Sequence, residues 1–498
     1  MMKIDLEKAV ISLVLVLLMI YAVLFVYSIP QLDRVFISFI DAPDTAASIK
    51  VAAEYGLTGK VPFFMEGEYY MLGNFPPLFP LLGALVYWVV GDALAAAAIL
   101  NVLVSMAMFY ILYAHAFRHL EMKQRLLLSG FFLMSMFSTI YFPLGIRMRS
   151  HLAALFGMCT FVFRPKGLPL LALSFLMLLS QPVFGGIFLV LYLISTFEHR
   201  ENGVWPAFAG MLLALPFYSG LFEISGLPPT YYGCSTFLFN TNLILPVLLM
   251  LVGVAFMLKK MRGFTEYLCA FLILLPLLQA TALQVTQDPN LTPVGLVPLI
   301  KSDLCYPSIT YPAIFVLFYL YTRREKGIPK NAFIMFLLVF GLAIMNVTLA
   351  YLFVTTGSNL YVEQVESVIA ESGGERLATL IAYVTPDGRV YPSHGDFMIS
   401  SHLFLNDRSI MMHGSALPPM LNKGPVYVEM VRLLEDIAGR EGNCAESVEQ
   451  LRDEGIDTLL YVVSEDNEEV LDESYLDACG LRLLYGEGGW VVYSIKEA

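Results

Sequence analysis

Asn74-Phe-Pro-Pro-Leu-Phe-Pro-Leu-Leu-Gly-Ala-Leu-Val-Tyr-Trp-Val-Val90 is the stretch on which the topology of this chain turns. It is apolar enough to enter a bilayer. Yet Pro76, Pro77 and Pro80 crowd its start, and prolines suit a helix's first turn or a bent approach better than a straight span. A spanning helix needs about 20 apolar residues. The other long apolar segments are residues 10–29, 93–117, 126–142, 151–163, 168–181, 183–197, 204–220, 243–258, 264–284, 306–321 and 332–353. The first follows Lys3 and Lys8, lacks a small-residue cleavage site and reads as a retained helix.

Charge chooses between two topologies. Basic islands lie at 118–125, 164–166, 259–262 and 323–330, with a weaker one at His199 and Arg200. Basic residues concentrate in cytoplasmic loops. If residues 75–90 cross the membrane, all these islands fall outside. If they do not, all fall inside. The sequence therefore reads as a polytopic α-helical membrane protein with about eleven transmembrane helices, in which 75–90 is a juxtamembrane or re-entrant helix on the outer side. The N-terminus is cytoplasmic, and everything after the last span is extracytoplasmic.

Composition divides the chain in the same way. Over 498 residues the mean hydropathy is +0.69, and only 14% of residues are charged, against about 25% in a soluble domain. The shortfall ends near residue 356. Residues 1–356 form a membrane domain with a large first outer loop at 30–92, and 357–498 form a small soluble α/β domain. In that tail, 379–384, 458–463 and 490–495 read as strands, and 427–438 and 445–454 as amphipathic helices. The net charge of −12 gives no reason to expect nucleic acid as a partner. The acidic run Glu465, Asp466, Glu468 and Glu469 reads as a solvated face. Of six cysteines, Cys159 and Cys269 fall in apolar stretches, and an extracytoplasmic tail would permit a Cys444–Cys479 disulfide.

The first outer loop carries the chemistry. It runs Phe39-Ile-Asp-Ala-Pro-Asp-Thr-Ala-Ala-Ser-Ile-Lys-Val-Ala-Ala-Glu-Tyr-Gly-Leu57. Asp is a good N-cap, so a short amphipathic helix can start at or after Asp44 and lie along the membrane to about Tyr55. Gly59-Lys-Val-Pro62, a turn with Glu66 and Glu68, and Pro76-Pro77-Leu78 follow. No Walker glycine loop or GxGxxG element occurs, and 56–60 lacks the P-loop spacing. A nucleotide-driven cytoplasmic reaction is not expected on that ground.

These elements resemble the GT-C superfamily of membrane glycosyltransferases, in the branch of protein O-mannosyltransferases and lipid A aminoarabinose transferases. The likeness lies in an acidic residue after the first span (Asp44), an Ala-rich helix (Ala46 to Ala53), a Gly-x-x-Pro turn and a Pro-Pro-Leu helix start. The sequence departs from the family in having Thr45 after the acid and Ser48 where an aromatic is usual, and it lacks a Trp-Trp-Asp motif. The resemblance implies a divergent member that uses a polyprenyl-phosphate sugar donor and a glycan, lipid or protein acceptor at the outer face of the bilayer. The cell envelope, on a plasma membrane, is the expected setting.

Inverting transfer needs a base for the acceptor hydroxyl and partners for the leaving phosphate. Asp44 is the preferred base. Asp41 is the alternative, or a partner that orients the site or binds a divalent metal; no cofactor is required by the pattern. Both acids have a structural alternative as an N-cap or a solvated loop acid. Arg147, Arg149 and His151 are candidates for the donor phosphate, because positive charge on the outer side runs against the usual trend. Their alternative is snorkelling to headgroups. Lys301 joins them, with Asp303 beside it. Lys60, Glu68, Tyr231 and Tyr232 are candidates for the substrate, the tyrosines being equally suited to an interface belt. His115 and His119, spaced i, i+4 beside Arg118, read as an interface anchor rather than a metal site. A transporter would show internal repeats and ionisable residues at the membrane midplane, and neither is visible. A non-catalytic scaffold or receptor would be indifferent to Asp44→Ala.

Overall fold

The computed structural model describes residues 42–56, 76–135, 148–199, 204–218, 260–274, 310–334, 376–384, 390–392, 409–413, 444–453, 455–463, 473–487 and 490–495, with a few single positions besides. The chain divides into two compact units. One comprises Met1–Leu32, Ala98–Pro216 and Pro229–Thr355; the other comprises Asp33–Ala97, Phe217–Pro228 and Thr356–Ala498.

The second unit begins with α1 (Ala42–Glu54) and α2 (Leu78–Val90). The start of α1 precedes Asp44 by two residues, so Asp44 lies within the first turn. The helix is not amphipathic as its sequence suggests. Thr45, Ala46, Ala47, Ser48, Ile49, Lys50, Val51 and Ala52 are all buried. Small side chains at 46, 47 and 52 let a helix sit closely against neighbours on every side.

α2 opens directly after Pro76 and Pro77, with Pro80 still in its first turn. There a missing N–H costs nothing, because the first N–H groups of a helix have no intrahelical partner. Thirteen residues make a helix about 20 Å long, short of the bilayer's hydrocarbon core of about 30 Å. Its end is sharp. Gly91 adopts φ 77°, a left-handed cap whose N–H returns to the Tyr87 carbonyl at 2.7 Å. Asp92 then accepts from the Ala95 N–H at 2.6 Å. A C-terminal glycine and an N-terminal aspartate side by side explain why the apolar run from 75 to 117 is two helices.

α3 (Ala93–Tyr110) continues through a π-helical turn, Ile111–Ala116. Together they are long and apolar enough to cross a membrane. Among the described residues this is the one helix of that length; shorter helices follow it in the chain. They are α4 (Met122–Ser135), α5 (Met148–Phe163), α6 (Leu168–Ser180), α7 (Pro182–Glu198), α8 (Val204–Ala214), α9 (Phe264–Leu274) and α10 (Thr310–Glu325). Each falls on a segment whose hydropathy indicates a span. The spans expected at 243–258 and 332–353 lie mostly outside the described residues.

Phe132 of α4 anchors the core of the helical unit. Its ring meets Phe117, Phe131, Phe315 and Phe318, and Tyr311 donates to its carbonyl at 2.8 Å. Glycines permit close helix approach: a Cβ on Gly210 would meet the Leu171 carbonyl and Ser174, and one on Gly157 would meet the Phe188 ring. Outward, large apolar side chains stand exposed, among them Leu103 and Met106 of α3, Phe197 of α7, Leu212 and Leu213 of α8 and Phe271 of α9. These helices therefore show apolar side chains both inward and outward.

The tail is a mixed six-stranded sheet with helices. β1 (Arg376–Val384) pairs in parallel with both β3 (Ser409–His413) and β4 (Thr458–Val463), and β2 (Val390–Pro392) folds back on its end. β4 pairs antiparallel with β6 (Trp490–Ser494), and β6 with β5 (Arg482–Glu487). α11 (Cys444–Asp453) buries Cys444, Ser447, Val448 and Leu451, an i, i+3, i+4, i+7 stripe. α12 (Glu473–Ala478) lies between β4 and β5. The core includes Leu433, Ile437, Val448, Leu451, Leu459, Leu476 and Tyr493. Cys444 and Cys479 are joined in a disulfide with their Cα atoms 5.3 Å apart.

Candidate functional site

The helix carrying Asp44 is fastened by α2. Gly83 lies so flat against Ile49 that a Cβ there would overlap the Ile49 side chain. One turn on, the Tyr87 hydroxyl donates to Glu54 Oε1 at 2.9 Å, and Trp88 Nε1 donates to the Ala53 carbonyl at 3.3 Å. Within α1, Ser48 donates to the Thr45 carbonyl at 2.7 Å. Lys50 is buried on the same helix. It is the only base between Arg34 and Lys60 in the sequence, a signal that sequence reasoning passed over.

Asp44 is the third residue of α1 and Arg149 the second of α5; their side chains lie outside the described part. A carboxylate in the first turn of a helix is favoured by the macrodipole, as a base or as a structural acid. Asp41, Lys60, Glu68, Arg147, Tyr231, Tyr232, Lys301 and Asp303 also lie outside the described residues.

His151 is fully placed. It is buried, and its Nδ1 meets Asn101 Oδ1 at 2.7 Å, joining α5 to α3. With the amide oxygen as acceptor, Nδ1 carries the proton, and the pair fixes the first turn of α5, where Arg149 resides. Asn101 is a second residue missed in the sequence: one polar amide within the apolar run 93–104. His115 stacks edge-on with Tyr110 and Phe163. No group of three metal-binding side chains occurs among the described residues.

Among the described residues of the helical unit, charged side chains gather elsewhere, at the ends of α7, α9 and α10. Glu198 accepts from the Phe264 and Thr265 N–H groups at 2.9 and 3.2 Å and from the Thr265 hydroxyl at 2.7 Å, capping α9. Burial by itself would raise the Glu198 carboxyl, but these donors hold it below the usual range. Glu266 is buried. It accepts from the Arg262 N–H at 2.8 Å and pairs with Arg324 at 2.6 Å. Arg324 also donates to the Lys260 carbonyl at 2.7 Å, and Lys260 reaches Glu325 at 3.2 Å. The exposed Glu198 is satisfied by backbone N–H groups and a hydroxyl, and the buried Glu266 by backbone and guanidinium, so this network joins helix ends.

No protein-family model and no curated protein matches the sequence. Among solved structures, the chain is similar to ArnT from Cupriavidus metallidurans bound to undecaprenyl phosphate, at 11% identity and a TM-score of 0.47, over 97% of this chain and 98% of that one. It is also similar to the arabinofuranosyltransferase AftD from Mycobacteria, at 15% identity and a TM-score of 0.47. That match takes in 97% of this chain and 41% of AftD.

Proposed function

We propose that the protein is a divergent GT-C-type membrane glycosyltransferase that moves a sugar from a polyprenyl-phosphate donor to an acceptor on the extracytoplasmic face, with inversion. The observation that carries this reading is the construction of the first outer loop. An acid stands in the first turn of a buried helix, and that helix is packed on a Pro-Pro-Leu helix too short to span and cut off sharply before a spanning one.

The roles follow from the chemistry. The acceptor oxygen forms a bond to the sugar's C1 while the bond from C1 to the phosphate oxygen breaks. Asp44 takes the hydroxyl proton, with Asp41 the alternative base. The electron pair leaves on the lipid phosphate, whose charge falls to Arg147, Arg149 and Lys301. His151, bound to Asn101, holds α5 rather than the phosphate. Lys60, Glu68, Tyr231, Tyr232 and Asp303 are assigned to the substrates.

Two features support an outer location for this loop and for the domain at 357–498. A disulfide such as Cys444–Cys479 persists in oxidising compartments. The segments grouped in the second unit, Asp33–Ala97, Phe217–Pro228 and Thr356–Ala498, overlap three stretches that the charge pattern puts outside.

The test is transfer from radiolabelled polyprenyl-phosphate sugars by purified protein in lipid, beginning with undecaprenyl-phosphate donors. Asp44→Asn should lose about 10²–10⁴-fold, the contribution of a positioned base. Loss only in Asp41→Asn would move the base. Full activity in both variants, or no transfer by wild type across a panel of donors and acceptors, would overturn the reading.

A further inference from the structure

α2 has two faces with different neighbours. One face is given to α1, through Gly83 against the fully buried Ile49 and through Tyr87 and Trp88 bonded to Glu54 and Ala53. Gly83 and Tyr87 are four residues apart and share that face. Around the rest of its last two turns apolar side chains stand exposed, Leu85, Val89, Val90 and much of the Trp88 ring, with Val89 86% exposed. Such a cluster is not left in water by a monomeric soluble surface.

What covers it follows from the chain itself. Val90 is separated from Ala93, the first residue of the spanning-length helix, by Gly91 and Asp92 alone. Three residues reach about 11 Å at most. The apolar turn of α2 is therefore tethered at the level where α3 enters the bilayer. That is the headgroup region, where a tryptophan with an apolar ring and a bonded N–H is favoured. The described side chains of α1 from Thr45 to Ala52 are buried.

We propose that α2 is the positioning element for the catalytic acid: its Leu85–Val90 turn is seated in the outer leaflet, and Gly83, Tyr87 and Trp88 set the register of α1, and so the height of Asp44, against it. The part concerning Asp44 rests on the glycosyltransferase reading. A slip of one residue along a helix moves a side chain by about 1.5 Å, and a misplacement of about 1 Å can cost about 10²-fold in rate. Gly83 is thus a positioning residue, acting through Ile49 on the helix that holds the base.

Helix propensity and positioning predict opposite effects at this site. Gly→Ala inside a helix stabilises by about 1 kcal/mol on propensity alone. Gly83→Ala should instead lower kcat by about tenfold or more with the donor KM unchanged, and Gly83→Val should lower it further. Ile49→Ala, which removes the atoms that a new Cβ would strike, should restore Gly83→Ala at least severalfold. Tyr87→Phe, which leaves the packing intact, should show the same kcat-only loss more weakly. Unchanged kcat in Gly83→Ala, or no rescue by Ile49→Ala, would overturn the positioning role.

The seating is read separately. The chain has three tryptophans, so Trp205→Phe with Trp490→Phe leaves Trp88 as the sole tryptophan, which is excited selectively over the tyrosines at long wavelength. Its emission should be quenched by lipids brominated on the acyl chains near the headgroup, and failure to quench would overturn the seating. Wild type that transfers no sugar would defeat the glycosyltransferase reading, while the quenching result would still decide where α2 sits.

Discussion

The α1–α2 pair and the charged ends of α7, α9 and α10 are held together by opposite means. α1 and α2 meet through a glycine against an isoleucine and two hydrogen bonds, and their unit also carries a disulfide. The helix ends are tied by carboxylates, backbone N–H groups and Arg324, while the described cysteines of their unit, Cys159 and Cys269, are free. Glu198 and Glu266 have their oxygens occupied by backbone N–H groups, a hydroxyl and a guanidinium, the pattern of a structural acid. Asp44 stands on a helix fastened mainly by packing, where a shift of register would carry it along.

The largest expected effect is covalent. Cys444→Ser should cost the tail about 4 kcal/mol, from the loop entropy of a 35-residue separation. It would be read as faster hydrogen exchange in β4 and β6. A tail indifferent to the substitution would remove that contrast between the two regions.

Next comes the buried pair. Glu266→Ala leaves Arg324 without its partner and should cost about 3 kcal/mol, the low end of the range for buried pairs because Arg324 retains 28% exposure. The melting temperature should fall while transfer per folded molecule holds. Smaller again is the cap on α9. Glu198→Gln should cost about 1 kcal/mol or less. Because the folded carboxyl lies below its ordinary value, its contribution is complete above the ordinary glutamate range and is lost as pH falls through the lowered value. The wild-type advantage over Glu198→Gln should therefore vanish in acid, not in base. Smallest is Tyr87→Phe, about 0.5 kcal/mol for an exposed hydrogen bond, too little to melt the fold but enough to loosen α1.

Where the sequence was legible, burial and period agreed. β4 is Thr458–Val463, as its apolar run implies, and α11 follows its i, i+3, i+4, i+7 stripe closely. The break between α2 and α3 was readable because Gly91 and Asp92 are strong local signals. β2, β3 and β5 escaped notice because a short strand such as Val390–Pro392 takes its identity from a neighbour, here β1, rather than from its own pattern. α1 misled for a related reason. Lys50 and Ser48 make it look amphipathic, but the surrounding structure buries them, and no local pattern records that. Asp44 draws attention in the sequence by its place after an expected span, whereas Asn101 is bonded to His151, fifty residues away, and no local pattern records that pairing.

The most direct test measures transfer and melting together for Asp44→Asn and Glu266→Gln in lipid-reconstituted protein. The account predicts that they separate: Asp44→Asn abolishes transfer at an unchanged melting temperature, and Glu266→Gln melts early yet transfers normally while folded. Transfer lost in Glu266→Gln and retained in Asp44→Asn would contradict it.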